Sequence, residues 1–325
     1  MEQEKLEKKV KEILYREGFE IENSVARKPG VELELGIYSS EKYSEGDVDH
    51  SKDKIFVDEG LEVEDGYTIE EEKDYDLPSF ELIGDIAIIN DLSGRDRNEA
   101  VEGILAHHDV KTILLKTEGL SGEFRVGEYE KLYGEETETV HKEHGYRFKI
   151  DPTKAYYSER FATERKRVSE QAEKGEKVLV LFAGVGPFAV MCAEKASRAV
   201  AVEKNPEACN YLKGNIKLNN FEDRIKPCCG DVKDIVPELD ERFDRVIMPL
   251  PGSATEFLEL AADSLNGKGI IHLYSFVEDE DFKPVEKKIE EVLSGRGLEY
   301  EIIGRIRCGY KSPSEDRYCF DIKLL

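Results

Sequence analysis

The sequence predicts an α/β protein in three parts: an acidic N-terminal module over residues 1–78, a smaller α+β domain over 79–150 and a mostly parallel sheet with helices on both faces over 151–325. Three observations predict the large sheet. The run VLVLFAGVGPFAV at 178–190 is apolar on both strand faces, breaks at glycine and resumes as a helix-like apolar segment, which suits a parallel strand covered on both sides. Strand-like runs at 198–203, 225–228 and 243–248 then alternate with helical patterns, the order of a parallel sheet. Each run ends in a loop carrying glycine, an acid or proline, and these loops share the edge where open α/β sheets bind ligands.

Taken in order, residues 2–18 place Leu6, Val10, Ile13 and Leu14 at helical spacing, with Gly18 as a stop. Residues 30–80 alternate short β-like pieces with acidic turns, and 41–80 hold 15 acids against 4 bases, so a solvated module or a partly mobile segment without evident chemistry is expected here. ELIGDIAIIN at 81–90 reads as a strand pair or a strand kinked at Gly84, 99–108 as a helix and 111–116 as a strand. Alternating β-type sequence then continues to residue 150. Within it His141, Glu143 and His144 resemble metal ligands, but positions 141 and 144 of a strand face opposite ways, so no metal site is expected.

Residues 151–170 join the two domains, and a helix there would put Arg160, Glu164 and Arg167 on one face. Two readings stay open for them. One is a surface ion pair between Arg160 and Glu164; the other is a carboxylate held between arginines and suited to accept a proton. Beyond residue 178, Gly184 and Gly186 allow close backbone approach by a ligand, and Pro187 suits a first helical turn. Glu203 stands about 20 residues beyond the glycines, where an acid takes ribose hydroxyls. Asp231 follows the third strand and a Pro249-Leu250-Pro251-Gly252 turn the fourth; the plain alternatives are a solvated acid at Glu203 and a helix N-cap at Asp231. A fifth strand at 269–276, a helix at 282–295 and two closing strands around Pro313 complete the domain. The set resembles the Rossmann-like class I S-adenosylmethionine methyltransferase fold more than a dinucleotide fold.

The net charge of −24, from 71 acids and 47 lysines and arginines, should repel nucleic acid at long range. A local strip of Arg160, Arg165, Lys166 and Arg167 can still bind phosphates, and surface acids adapted to high internal salt would account for the rest. The six cysteines show no paired metal spacing, two are adjacent, and all are expected reduced and mostly buried. No run has the length of a membrane span and no signal peptide is evident, so a cytoplasmic location is expected.

Several stretches together resemble the archaeal and eukaryotic tRNA (guanine-37-N1)-methyltransferases and their wyosine-pathway relatives: IGDIAII, GEFR at 122–125, HKEHGYRFKID, YYSERFATER at 156–165, LFAGVGPF, VEKNP, GDVKD and MPLPGSA at 248–254. They cover roughly residues 80–325 in order, while the first 75 or so show no match to the family's N-terminal domain. The resemblance implies S-adenosylmethionine as cofactor and tRNA with guanosine at position 37 as partner; nothing in the sequence demands a dimer, so a monomer is expected. It further implies that Arg125 holds guanine O6, that Glu164 takes the N1 proton, and that Tyr156, Arg160, Arg165 and Arg167 line the site. Phe182, Gly184, Gly186, Glu203, Asp231 and Pro249 would contact the cofactor.

Three differences from the family pattern stand out. Ser158-Glu159-Arg160 replaces the usual Ser-Pro-Arg, Val180 stands where an acid is common, and Pro249 replaces the asparagine of the Asn-Leu-Pro turn. The last removes a side-chain amide expected to orient the base. Alternatives are therefore carbon-7 methylation or aminocarboxypropyl transfer on the tricyclic wyosine base, or a tRNA binder without catalysis; retention of Glu164 favours N1 methylation.

Overall fold

A computed structural model of the chain describes residues 20–22, 25–28, 31–34, 62–63, 67–68, 75–121, 124, 126–312 and 314–325. The chain divides into two compact units, Met1–Leu77 and Pro78–Leu325. In the first, β1 (Glu20–Glu22), β2 (Val25–Lys28) and β3 (Val31–Glu34) form an antiparallel sheet, and β4 (Glu62–Val63) pairs with β5 (Tyr67–Thr68). The helix expected at 2–18 lies outside the described residues.

The second unit opens with a four-stranded sheet. β6 (Phe80–Ile83) and β7 (Ile86–Ile89) form a hairpin turning at Gly84, as one of the two readings of this segment had it. Gly84 has φ +59°, and a Cβ there would lie 2.1 Å from Thr139 Oγ1, so only glycine lets the turn approach residue 139. α1 (Arg97–His107) crosses over to β8 (Thr112–Ser121), which runs parallel to β7, and β9 (Val126–Tyr133) closes the sheet antiparallel. Asp96 caps α1 by accepting from the amides of Asn98 (2.9 Å) and Glu99 (3.0 Å). The hairpin of β10 (Thr139–Glu143) and β11 (Tyr146–Ile150) then leads into the large sheet.

That sheet contains β12 (Lys177–Leu181), β13 (Arg198–Glu203), β14 (Ile225–Cys229), β15 (Phe243–Met248), β16 (Leu265–Glu278), β17 (Tyr300–Ser312) and β18 (Glu315–Leu324). Their spatial order is β14-β13-β12-β15-β16-β18-β17. β12 to β16 are mutually parallel, and β18 lies antiparallel between β16 and β17.

Both faces are buried, which is why the strands read as continuous apolar runs. Val178, Val180, Ala199, Ala201, Ile247, Tyr274 and Cys319 face α2 (Ala162–Gln171), α3 (Pro187–Cys192) and α4 (Pro206–Leu218). Leu179, Leu181, Val200, Val202, Val246, Leu273 and Phe320 face α5 (Val232–Ile235), α6 (Leu258–Ser264) and α7 (Lys283–Leu293). Fully buried Asn215 of α4 seals the hairpin to the sheet: its side chain bonds both polar backbone atoms of Lys149 (2.7 and 3.0 Å) and the carbonyl of Val185 (3.0 Å).

The expectation that every cysteine is reduced is corrected. Cys209 on α4 and Cys229 at the end of β14 form a disulfide, because the helix lies over the strand and brings their Cα atoms to 5.8 Å. The bond closes 20 residues of chain, for which the chain-entropy account gives about 3 kcal/mol of stabilisation. Cys209→Ser is therefore expected to lower the melting temperature under non-reducing conditions, and dithiothreitol should lower the wild type to match. Identical melting of the wild type with and without reductant would refute this.

Candidate active site

The carboxyl ends of β12 to β15 form one edge of the sheet, and its order reverses between β12 and β15. A crevice at such a reversal is the usual ligand position in open α/β sheets. The chain leaves β12 through Phe182 (φ +55°), Gly184 (φ +57°) and Gly186 (φ +96°), the N-cap of α3. Gly186 is favoured by its left-handed conformation, and a Cβ there would also have to push aside the end of the Leu212 side chain of α4, 2.5 Å away. The Phe182 ring meets Phe257 edge-on at 4.9 Å, forming an aromatic wall beside the reversal.

Glu203 sits at the end of β13, 9% exposed. Its Oε2 accepts from the amide of Gly184 and its Oε1 from that of Asn205, both at 2.7 Å. Burial pushes its carboxyl up, against the pull of these amides. A carboxylate has about four acceptor positions, and the amides of Gly184, Asn205 and Lys204 draw on this one, so Glu203 retains capacity for a further hydroxyl. Asp231 caps α5 through the amide of Lys233 (2.9 Å), as its plain reading held, and its other oxygen pairs with Lys204 (2.9 Å). The ion-paired hydrogen bond from Lys204 holds its carboxyl below the usual range. Pro249 follows β15 in a turn closed by the Leu250 amide on the Met248 carbonyl (2.8 Å).

Glu164 lies in the first turn of α2, 4% exposed. Its Oε1 accepts from the Tyr274 hydroxyl (2.7 Å) and from Arg167 Nη2 (2.7 Å), and its Oε2 from Arg167 Nε (2.7 Å). Arg167 also reaches Asp321 on β18 (2.6 Å), and Asp321 accepts from His272 Nδ1 (2.6 Å). His272 Nε2 lies 2.7 Å from Arg245 Nη1. Arginine offers only donors, so His272 is the neutral tautomer with its proton on Nδ1. The carboxylate of Glu164 is thus fixed from below by β16 and from the side by Arg167. Tyr274 in turn packs against Phe188 of α3 (6.0 Å between ring centres), which joins the acid to the helix leaving the glycine loop.

Arg160 departs from the expected shared face. Residues Glu159–Phe161 form a tighter 3-10 turn before α2, which swings Arg160 away from Glu164. Its guanidinium pairs instead with Glu81 of β6 (2.5 Å) and donates to the Tyr310 hydroxyl (3.2 Å), so the Arg160–Glu164 ion pair is replaced. Arg165, 3% exposed, is wholly engaged within the protein: it forms a two-pronged pair with Glu143 and donates to the Ser158 carbonyl (3.1 Å). The same Glu143 accepts from Tyr157 (2.6 Å). Glu143 therefore anchors the β10–β11 hairpin to α2, while His141 accepts from the Gly84 amide (3.2 Å) and His144 meets the Ala162 carbonyl (3.1 Å). Tyr156 is 38% exposed, and its carbonyl lies 3.8 Å from where a Gly184 Cβ would stand, so it borders the glycine loop. Arg125 lies outside the described residues.

Sequence reasoning missed Tyr274, Asp321, His272 and Arg245. The visible signal was His272 and Tyr274 within the otherwise apolar run GIIHLYSF, and Asp321 within CFDIKLL. His272, Cys319 and Asp321 offer ligand atoms within 4.8 Å of one another. Arg167 and Arg245 already occupy Asp321 and His272, however, and a cation there would displace both guanidinium groups.

The architecture and these residues agree with the known proteins that the chain matches. Residues 139–303 match the TRM5/TYW2 methyltransferase domain, and residues 65–137 the TYW2 N-terminal domain. The tRNA (guanine(37)-N(1))-methyltransferase Trm5b of Pyrococcus abyssi is 38% identical over 251 residues, 76% of this chain and 74% of that protein. The complex structure of aTrm5 and tRNALeu superposes with a TM-score of 0.68 at 34% identity, covering 76% of this chain and 72% of the other. The M. jannaschii TYW2 structure in complex with AdoMet gives 0.59 at 27% identity, covering 76% and 99%. With its sheet order, glycine loop and buried α2 acid in the matched region, the chain belongs to the TRM5/TYW2 methyltransferase family.

Proposed function

We propose that this protein transfers a methyl group from S-adenosylmethionine to N1 of guanosine 37 in tRNA, with Glu164 as the general base. The observation that carries the reading is the Glu164 carboxylate, buried at the start of α2 and oriented by Tyr274 and Arg167 beside the helix of the glycine loop. Relatives named for this activity, and a relative solved with tRNA, support the substrate.

The cofactor edge suits S-adenosylmethionine. Glycines at 184 and 186 leave two positions of its loop without side chains, Glu203 has acceptor capacity for a ribose hydroxyl, and the Phe182 ring offers an apolar face. Held by Glu203 and the glycine loop, the cofactor would supply an electrophilic methyl for transfer to N1, with its sulfur as leaving group. Neutral guanine N1 carries a proton, so a carboxylate within hydrogen-bond reach must take it during transfer. Charge then builds on O6 and calls for a donor nearby; Arg125 is the residue we assign to it by family resemblance. In the same proposal Tyr156, at the border of the loop, stacks on substrate. Arg165 and Arg160 position the 157–164 segment, and Arg167 orients Glu164. Asp231 and Pro249 shape the far side of the cofactor site. The target base is taken extruded from its stack, with the tRNA fold read by shape. We take the enzyme as a cytoplasmic monomer; no described helix is long and apolar enough to cross a membrane.

A second reading is transfer onto the tricyclic wyosine base. It is favoured by Pro249 in place of asparagine and by the match of residues 65–137 to the TYW2 N-terminal domain. Nucleoside mass spectrometry separates the two. The protein is incubated with S-adenosylmethionine and transcripts bearing guanine or adenine at position 37, or with tRNA carrying the tricyclic precursor. 1-Methylguanosine formed only on the guanine transcript is the expected result. Product on the tricyclic base alone would replace the first reading with the second.

A further inference from the structure

Arg317 is not used in the site described above, yet its surroundings mark it. The register of β16 and β18 pairs His272 with Asp321, Tyr274 with Cys319 and Phe276 with Arg317. Alternate residues share a face of a sheet, so these pairs form three successive rungs under α2. The first rung holds Arg167 and the second holds Glu164. β16 runs parallel to β12 and β15, so the third rung, Arg317 with Phe276, lies one step closer to the ligand edge than Glu164.

The Arg317 guanidinium is stacked over the Phe161 ring (4.1 Å to the ring centre) and beside Phe276 (5.6 Å). Phe161 belongs to the 3-10 turn between Arg160 and Glu164, so the cation is held against the segment that leads into the helix carrying Glu164. Its Nε is buried without a hydrogen-bond partner, and among the described residues the guanidinium pairs with no carboxylate. That is unusual in a chain with 71 acids and 47 lysines and arginines. The neighbouring acids are committed elsewhere, Asp316 to Arg307 (2.7 Å) and Glu315 to Lys311 (2.6 Å). A stacked guanidinium with unused donors suits a planar, anionic oxygen ligand.

We propose that Arg317 is a substrate-binding residue whose guanidinium donates to an anionic oxygen of the target nucleotide, either a phosphate flanking it or O6 as charge builds there. The proposal rests on the methyl transfer to tRNA read above. The test uses Arg317→Met, which keeps the stem on Phe161 but removes the donors, with Arg317→Gln as a second variant where the first fails to fold. tRNA affinity across a salt series and single-turnover methylation are both measured against wild type. A phosphate contact weakens tRNA binding about tenfold and lowers the salt slope by about one, with the maximal transfer rate kept. An O6 contact leaves affinity within about twofold and slows transfer by about tenfold or more. Affinity, salt slope and transfer rate all unchanged in a folded variant would overturn the proposal and leave Arg317 a packing residue. Absence of methylation by the wild type would instead remove the underlying reading, and the binding series would still report on Arg317.

Discussion

Glu164→Gln is expected to slow methyl transfer in a single turnover by about 10²–10⁴-fold, the range for loss of a positioned general base. The affinity for S-adenosylmethionine should stay within about twofold, because Glu203 and the glycine loop stand on a different element. Glutamine preserves shape and one acceptor, so Tyr274 keeps its partner. The amide nitrogen, however, faces a guanidinium that now meets a donor, and the variant should also lose about 1–3 kcal/mol of stability from that mismatch. Rapid-quench measurements with saturating cofactor and tRNA separate the two effects, since a stability loss alone does not alter the transfer rate of folded enzyme. A transfer rate equal to wild type would remove Glu164 as the base. A change in cofactor affinity matching the fall in rate would instead assign Glu164 to holding the cofactor edge.

The contrast between Glu203 and Arg160 shows what was legible in the sequence. Strands buried on both faces write themselves as apolar runs, and a strand end is a local event, so Glu203, Gly184 and Gly186 were placed on one edge from spacing alone. The caps at Asp231 and Asn205 are equally local, each closed by an amide two residues on. Arg160 depended on helical periodicity extending back through residues 159–161, and the 3-10 turn breaks that period by changing the rotation per residue. Other features depend on which strand lies beside which. Arg167 meets Asp321 across 154 residues, Arg165 meets Glu143 across 22, and Cys209 meets Cys229 across 20. No local pattern encodes such partners; each follows only once the sheet order is known. Arg165 and Arg167 were thus read as part of a phosphate-binding strip, whereas Arg165 is buried against the hairpin and half-buried Arg167 is paired with two carboxylates.

Asp321→Ala is expected to be the most destabilising single change in this network, costing about 3–5 kcal/mol, because it leaves Arg167 and a buried imidazole without their shared acceptor. For a unit of this size that corresponds to a fall in melting temperature of roughly 6–20 °C. The same group governs the acid limb. Burial alone would raise the Asp321 carboxyl, but hydrogen bonds from His272 and Arg167 outweigh it and hold the group well below the usual carboxylate range. A depressed carboxylate contributes stability above its unfolded pKa of about 3.9 and loses it as pH falls toward the lower folded value. His272 is likewise held down, chiefly by burial. Below about pH 6.5 the unfolded chain takes up a proton that the folded chain refuses, and stability declines from there. Wild-type melting should therefore fall in two stages, the first beginning below about pH 6.5 and the second below about pH 4. Asp321→Asn should flatten the second stage, since it has no carboxylate left to protonate. An acid limb of unchanged slope in that variant would show that other carboxylates set it, and an Asp321→Ala melting temperature within about 2 °C of wild type would show the network to be dispensable for the fold. Because Arg167 divides its donors between Asp321 and Glu164, freeing it from the first allows it to draw the second out of position. The same variant should then transfer methyl more slowly at temperatures where it remains folded, and the stability of the sheet and the aim of the base would be set by one guanidinium.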